Sequence, residues 1–295
     1  MRAETPSEQL FFTTVYVAGR GTAGQWTGTG FIVRYETTGG TVDLLVTNKH
    51  VLAGAAELDV RFVQAGADGQ PLQQATQTTI TGFGDDSWLG HPDDQVDVAV
   101  MFLTSVVNQM REQGRAPFYK AFSVDLMLTS PQADDLDALE SVTFVGYPNG
   151  LYDTQSFLPI ARRGQTATPI QMNYRGAPAF LIDASVFGGS SGSPVILFDR
   201  GMYQTRSGGT VVGTRLILLG VLAAVHVRQT GGIVQDLPTR QIAVFDEALD
   251  LGIVFKASAI HECVKLLLAR VRAEIVAGSE PTQPLEGAGR EAQDG

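Results

Sequence analysis

The chain has 295 residues, of which 44% are apolar and 18% charged, a globular composition long enough for one large domain or two small ones. Its net charge of −10 repels phosphate backbones and anionic lipid, which argues against nucleic-acid or membrane partners. The single cysteine, Cys263, excludes an intramolecular disulfide and suits a reducing compartment, and neither a signal peptide nor a run of 18 apolar residues is visible, so a soluble, cytoplasmic protein is expected.

In chain order, short runs rich in Val, Ile, Phe and Thr read as strands. They fall at residues 10–17, 29–35, 41–47, 58–63 and 96–103, then 141–146, 180–183, 195–198, 216–227 and 242–245. Gly, Asp and Pro separate them, and no regular alternation with long helices occurs, which disfavours a doubly wound α/β sheet. Many short strands with glycine-rich turns point to barrels or sandwiches. A brief helix is expected near 106–113. A long one over 257–276 carries Ile260, Val264, Leu267, Leu268, Val271 and Ile275 on one stripe, which should pack on the domain before it. The acidic stretch 131–140, "PQADDLDALE", reads as a linker between β-rich halves, and the polar residues after Gly278 read as a disordered tail.

Chemistry concentrates in "VFGGSSGSPV", residues 186–195. A serine alcohol is a weak nucleophile unless a base, a group orienting that base and oxyanion donors surround it. Taken alone, the serine–glycine word is a flexible turn. The chain has four histidines: His50 ends an apolar strand in "LLVTNKHVLAG", His91 lies in a polar turn, His226 ends "LGVLAAVH", and His261 reads as a surface residue of the C-terminal helix. Asp97 heads "DVAVMFL", where a solvated strand cap is the simplest reading. A buried carboxylate there would need a partner such as a histidine N–H.

Other signals carry less. "GRGTAG" at 19–24 matches a dinucleotide-binding glycine pattern, but a strand-like segment follows it where that site needs a helix. The pairs Asp85–Asp86 and Asp93–Asp94 lack the spacing of a calcium loop, and no Cys/His cluster suits zinc, so no metal and no cofactor is expected. Cys263 reads as a small packed residue.

His50, Asp97 and Ser191 stand in the order His…Asp…Ser with gaps of 47 and 94 residues. The chymotrypsin template has the same order with gaps of about 45 and 93. "TGTGFIV" followed by "LLVTNKHVL", then "DVAV", then "GSSGSP" resemble the family's three signature words. Over roughly residues 8–255 the chain therefore resembles the trypsin-like serine peptidases, of the disulfide-free bacterial type close to the HtrA and glutamyl-endopeptidase branches.

The resemblance implies an all-β fold of two packed antiparallel six-stranded β-barrels with a C-terminal α-helix. The N-terminal barrel, 8–115, would carry His50 and Asp97, and 116–140 would link the barrels. The C-terminal barrel, 141–255, would carry Ser191, followed by a helix at 256–277 packed on that second barrel and a tail at 278–295. It implies a serine endopeptidase acting through an acyl-enzyme, with Ser191 as nucleophile, His50 as base and Asp97 orienting it. The N–H groups of Gly189 and Ser191 would form the oxyanion hole, and Ser193 would be structural. Ser190 replaces the acid that pairs with a new N-terminus in secreted relatives, so activation by that salt bridge is not implied.

Ser185 would floor the specificity pocket, Ala223, Ala224 and Val225 would line the substrate edge, and His226 is a further pocket candidate. Leu222 stands where Glu-cleaving relatives carry a histidine, which leaves a small or medium apolar P1 residue as the expectation. The implied partners are a protein or peptide substrate and, because an unrestrained cytoplasmic peptidase is hazardous, a regulatory protein or resting loop. The rival is a catalytically silent pseudo-protease that binds a peptide or protein in the inter-barrel cleft.

Overall fold

The computed structural model describes residues 2–37, 40–235 and 240–278, with side chains described outside 224–249 and 273–278. The chain opens on a helix, α1 (Pro6–Leu10), where the sequence suggested a strand from residue 10. Thr5 caps it by accepting from the Glu8 N–H while the Glu8 carboxylate accepts from the Thr5 N–H, and Pro6 is pre-set for a first turn. The strand follows as β1 (Thr14–Gly21), and β2 (Gly24–Thr37) and β3 (Gly40–Thr47) continue the sheet. α2 (Lys49–Leu52) breaks off at the end of β3.

β4 (Glu57–Ala65), β5 (Pro71–Thr81), β6 (Leu89–Gly90) and β7 (Ala99–Phe102) complete the main path of the first sheet, in the order β5-β4-β1-β2-β3-β7-β6. α3 (Thr104–Glu112) lies close to the expected brief helix. β8 (Pro117–Phe118) then pairs with β4, and β9 (Phe122–Ser123) pairs in parallel with β2. The first half is thus a nine-stranded sheet rather than the expected six-stranded barrel. Two of the additional strands come from the segment read as linker, whose Phe122 is buried and whose backbone finds ladder partners on β2 and β4. β5 was missed because "PLQQATQTTIT" has no apolar run, and among the described residues β4 is its only strand neighbour.

The rest of the linker is also structural. Thr129 caps α4 (Ser130–Asp134), Leu136 enters the core of the second half, and the buried Glu140 carboxylate accepts from the partly buried Arg215 at 2.7 Å. The second half is a closed six-stranded barrel, as expected. It is built from β10 (Ser141–Gly146), β11 (Ile160–Thr166), β12 (Ala179–Asp183), β13 (Pro194–Asp199), β16 (Arg215–Gln235) and β17 (Arg240–Lys256). A small hairpin, β14 (Met202–Gln204) with β15 (Thr210–Val212), projects between β13 and β16.

Three apolar clusters organise the molecule. One fills the first half, around Ile32, Leu45 and Val60, and another fills the barrel, around Phe144, Phe180 and Val195. The third joins Phe31, Val33 and Val46 of the first half to Ile196 and Val221 of the second. This explains the unbroken buried run from Gly28 to Val33: successive side chains of β2 alternate between two cores, so neither face meets water.

The final helix, α5 (Ala257–Gly278), puts Ile260, Cys263, Val264 and Leu267 into this third cluster. It does not pack on the second barrel alone. His91 Nε2 lies 3.1 Å from Glu262 Oε2, and the Tyr35 hydroxyl lies 3.0 Å from His261 Nδ1, so α5 also fastens to the first half. His261 is therefore engaged rather than a free surface residue. Burial pushes the Cys263 thiol up to about 12, which leaves it an inert packed group. The expected tail lies outside the described residues apart from Gly278. Among the described residues, no helix is long and apolar enough to cross a membrane.

Candidate active site

β2 is the element around which the site assembles. A Cβ on Gly28 would stand 2.6 Å from Val51 Cγ1, so α2 packs directly on this strand. One residue on, the Thr29 N–H donates to the Ser191 carbonyl at 2.8 Å. The histidine turn and the serine loop therefore flank the same short stretch of β2, although 141 residues separate His50 from Ser191 in the chain.

His50 sits on α2 with half of its side chain exposed. Its Nδ1 lies 2.5 Å from Asp97 Oδ2, and its backbone N–H donates to Asp97 Oδ1 at 3.2 Å. A carboxylate only accepts, so the shared proton belongs on Nδ1 and Nε2 keeps its lone pair. Asp97 lies two residues before β7, and its backbone carbonyl accepts from Asn48 Nδ2 at 2.6 Å. Asn48 was not singled out in the sequence. Its place directly before the helix carrying His50 was the available signal.

The serine loop is held through its backbone. The Phe187 carbonyl accepts from Ser190 N–H, that of Gly188 from Asn149 N–H, and that of Ser190 from Ser193 N–H. The Gly189 carbonyl accepts from the Thr29 hydroxyl and that of Ser191 from the Thr29 N–H. Gly192 N–H donates to Leu222. Every carbonyl from 187 to 191 is thus engaged. Among the described residues, the N–H groups of Gly189 and Ser191 have no acceptor. Two such donors beside a serine hydroxyl have the chemistry to receive negative charge on oxygen.

Glycine is required at two of these positions. Gly189 has φ +78°, and a Cβ there would stand 2.5 Å from the Tyr147 carbonyl oxygen. At Gly192 a Cβ would fall 1.7 Å from the Thr29 carbonyl oxygen.

The Ser191 hydroxyl donates to the Ala223 carbonyl at 2.9 Å and not to His50. Ala223 thus meets the serine loop with its backbone, while its own side chain is buried. Ser185 is exposed, and the side chains of Ala224, Val225 and His226 lie outside those described. Ser193 is fully buried, in keeping with a structural role. Sequence reasoning missed Arg162 of β11, whose guanidinium carbon lies 4.8 Å from the Phe187 ring centroid and 5.6 Å from that of Phe144. Burial pushes its pKa below the ordinary arginine value, and the charge of Asp250 works the other way. A cation therefore stands over the ring of Phe187, in the segment leading to Ser191.

A cavity of about 750 Å³ lies elsewhere, lined by residues including Leu136, Tyr203, Arg206 and Arg215. None of the three triad candidates touches it, so cavity size does not locate this chemistry.

A model of the trypsin-like peptidase domain matches residues 28–202, a span holding His50, Asp97 and Ser191 together. The chain belongs to the trypsin-like peptidase family. No curated protein matches this trypsin-like chain by sequence. Solved structures similar to it include a thermostable serine protease, AL20, from an extremophilic microorganism, 14% identical with a TM-score of 0.45 over 88% of this chain and 97% of that one. An HtrA-type protease, AlgW, with a tripeptide is 16% identical with a TM-score of 0.42, covering 92% of this chain and 62% of that one. The serine endoprotease from Yersinia pestis is 15% identical with a TM-score of 0.43, covering 90% and 68%.

Proposed function

We propose that the protein is a serine endopeptidase that hydrolyses peptide bonds through an acyl-enzyme formed on Ser191. His50 Nε2 accepts the Ser191 proton as Oγ attacks the scissile carbonyl, then returns it to the leaving amine. Asp97 holds the tautomer and stabilises the imidazolium. The Gly189 and Ser191 N–H groups receive the developing oxyanion. The observation that carries this reading is that pair of amides left without acceptors, in a loop where the neighbouring carbonyls are all paired. In the same proposal the substrate is a protein or peptide, the residues around Ser185 and 223–226 meet its P1 side chain, and the protein works in the cytoplasm under a regulatory partner.

The rival, a pseudo-protease that only binds a peptide in the cleft, is favoured by one observation: Ser191 Oγ bonds Ala223 O rather than His50. The active reading takes this as a resting rotamer that substrate displaces, since catalytic hydrogen bonds often tighten only in the complex.

A fluorophosphonate probe separates the two readings. Labelling of wild type that vanishes in Ser191→Ala supports the enzyme. A folded wild type that takes no label supports the binding protein. Cleavage-site profiling with the same pair would read the P1 preference, and ready digestion of unfolded casein by the isolated chain would count against a regulatory partner.

A further inference from the structure

Thr29 belongs to the first half, lies inside the word "TGTGFIV" and carries no acid–base chemistry. It is fully buried, and each of its polar groups is used. Its hydroxyl donates to the Gly189 carbonyl at 2.9 Å and accepts from the Tyr147 N–H at 3.0 Å. Its N–H donates to the Ser191 carbonyl at 2.8 Å, and its own carbonyl accepts from the Thr47 hydroxyl at 2.7 Å. One residue therefore holds two alternate carbonyls of the serine loop, and a second threonine holds that residue.

The peptide units that matter for an oxyanion are those ending in the Gly189 and Ser191 N–H groups. The peptide between residues 189 and 190 joins them. Its carbonyl is held by the Thr29 hydroxyl and its N–H by the Phe187 carbonyl. Turning this peptide changes ψ of Gly189 and φ of Ser190, and glycine accepts a wide range of ψ, so on the Gly189 side its setting rests on these two hydrogen bonds. If it turned, the Gly189 carbonyl would leave the Thr29 hydroxyl, and the flanking peptides that carry the Gly189 and Ser191 N–H groups would lose their fixed setting. The hydroxyl also joins this loop to Tyr147, at the end of β10, so one side chain ties β2, β10 and the serine loop together.

We infer that Thr29 is a positioning residue that keeps the serine loop in its oxyanion-binding conformation, coupling the half that carries the base to the half that carries the nucleophile. This rests on the reading of Ser191 as nucleophile. Thr29 touches no reacting atom; it acts by holding donors ready before charge develops, so that no reorganisation is needed at the moment of reaction.

The test compares Thr29→Val, which keeps the shape and removes the hydroxyl, with Thr29→Ser, which keeps the hydroxyl. The readouts are the fluorophosphonate labelling rate, kcat and KM on a peptide found by profiling, melting temperature, and amide exchange across residues 186–193. Thr29→Val should lower labelling rate and kcat by about 10- to 100-fold with KM little changed, less than the loss of a whole oxyanion donor. Thr29→Ser should stay within about threefold of wild type because the hydroxyl is retained.

Should Thr29→Val not fold, Thr29→Cys takes its place, since a thiol donates weakly, and a deficit of about three- to tenfold is expected. A folded Val or Cys variant that reacts like wild type overturns the inference. So does a Ser variant as slow as the Val variant. If wild type itself takes no label, the enzymatic reading fails. The positioning role is then decided by exchange alone: faster exchange at 189–191 in the variant lacking the hydroxyl than in Thr29→Ser upholds it, and equal exchange overturns it.

Discussion

In the first half of the molecule an imidazole is aimed by a side chain: Asp97 takes the ring N–H and the backbone N–H of His50 with its two oxygens. In the second half an alcohol and two amides are aimed by backbone: a sequence of paired carbonyls fixes residues 187–191, and no charged side chain takes part. Under the proposed function the difference follows from what each half would supply. A base needs a defined tautomer, which a carboxylate selects. An oxyanion site needs dipoles that do not relax, which a loop with all its carbonyls tied provides. The two halves should accordingly fail in different ways when altered.

The largest effect is expected on the side-chain half. Asp97→Asn keeps the shape but lets the amide donate to Nδ1, which stabilises the wrong tautomer. A fall in kcat of about 10⁴-fold is expected, as the equivalent change gives in the chymotrypsin template, with melting temperature little altered. A loss below tenfold would mean that Asp97 does not orient the base.

On the backbone half, Gly189→Ala meets both the positive φ and the Tyr147 carbonyl. It should lower kcat by about 10²- to 10³-fold, the range for one lost oxyanion donor, and lower stability as well, because the loop cannot yield without breaking its pairs. Unchanged activity here would show that the two free N–H groups are not the anion receptor.

The smallest effect belongs to an ion pair of the first half that has no part in the chemistry. Burial raises the Asp43 pKa, but Arg34 at 2.7 Å and the Tyr119 hydroxyl at 2.7 Å outweigh it, and the carboxyl ends below its ordinary value. A group whose folded pKa is depressed stabilises fully above its unfolded pKa and loses that contribution as pH falls through the folded value. Asp43→Asn should therefore cost about 1–3 kcal/mol near neutral pH and flatten the acid limb of stability. Denaturant titrations from pH 7 down to pH 2 would show it, and an unchanged acid limb would exclude the pair as a source. Labelling by the probe at pH 7 should be unaffected, which distinguishes this pair from Asp97.

Strands with continuous apolar runs were legible in the sequence, and β10 spans the same residues, 141–146, as the run that suggested it. Strands such as β5 and β11, built from Thr, Gln and Arg, were not, because their ladders form with neighbours rather than through a buried face. Residues 131–140 looked like a linker by charge, within a segment, 116–140, that the resemblance made the link between barrels. Yet Phe122 lies in the cluster that joins the two halves and Leu136 in the core of the barrel, and pairing to Arg215 makes burial of Glu140 tolerable. The apolar stripe of α5 showed that the helix must pack, but not against what. The helix lies in the apolar seam that joins the two halves, which forms only when they meet.

The sequence by itself determined which groups could do chemistry here: one histidine after a strand, one aspartate before a strand, one serine between glycines, in an order and spacing that resemble a known family. Only the tertiary structure decided that Asp97 meets His50, that the Gly189 and Ser191 amides are left free, and that Thr29, from the opposite half, holds them so. The reason is physical. Residue type sets what a group can donate or accept, while direction and partner are set by backbone hydrogen bonds between segments far apart in the chain, and no local pattern records those.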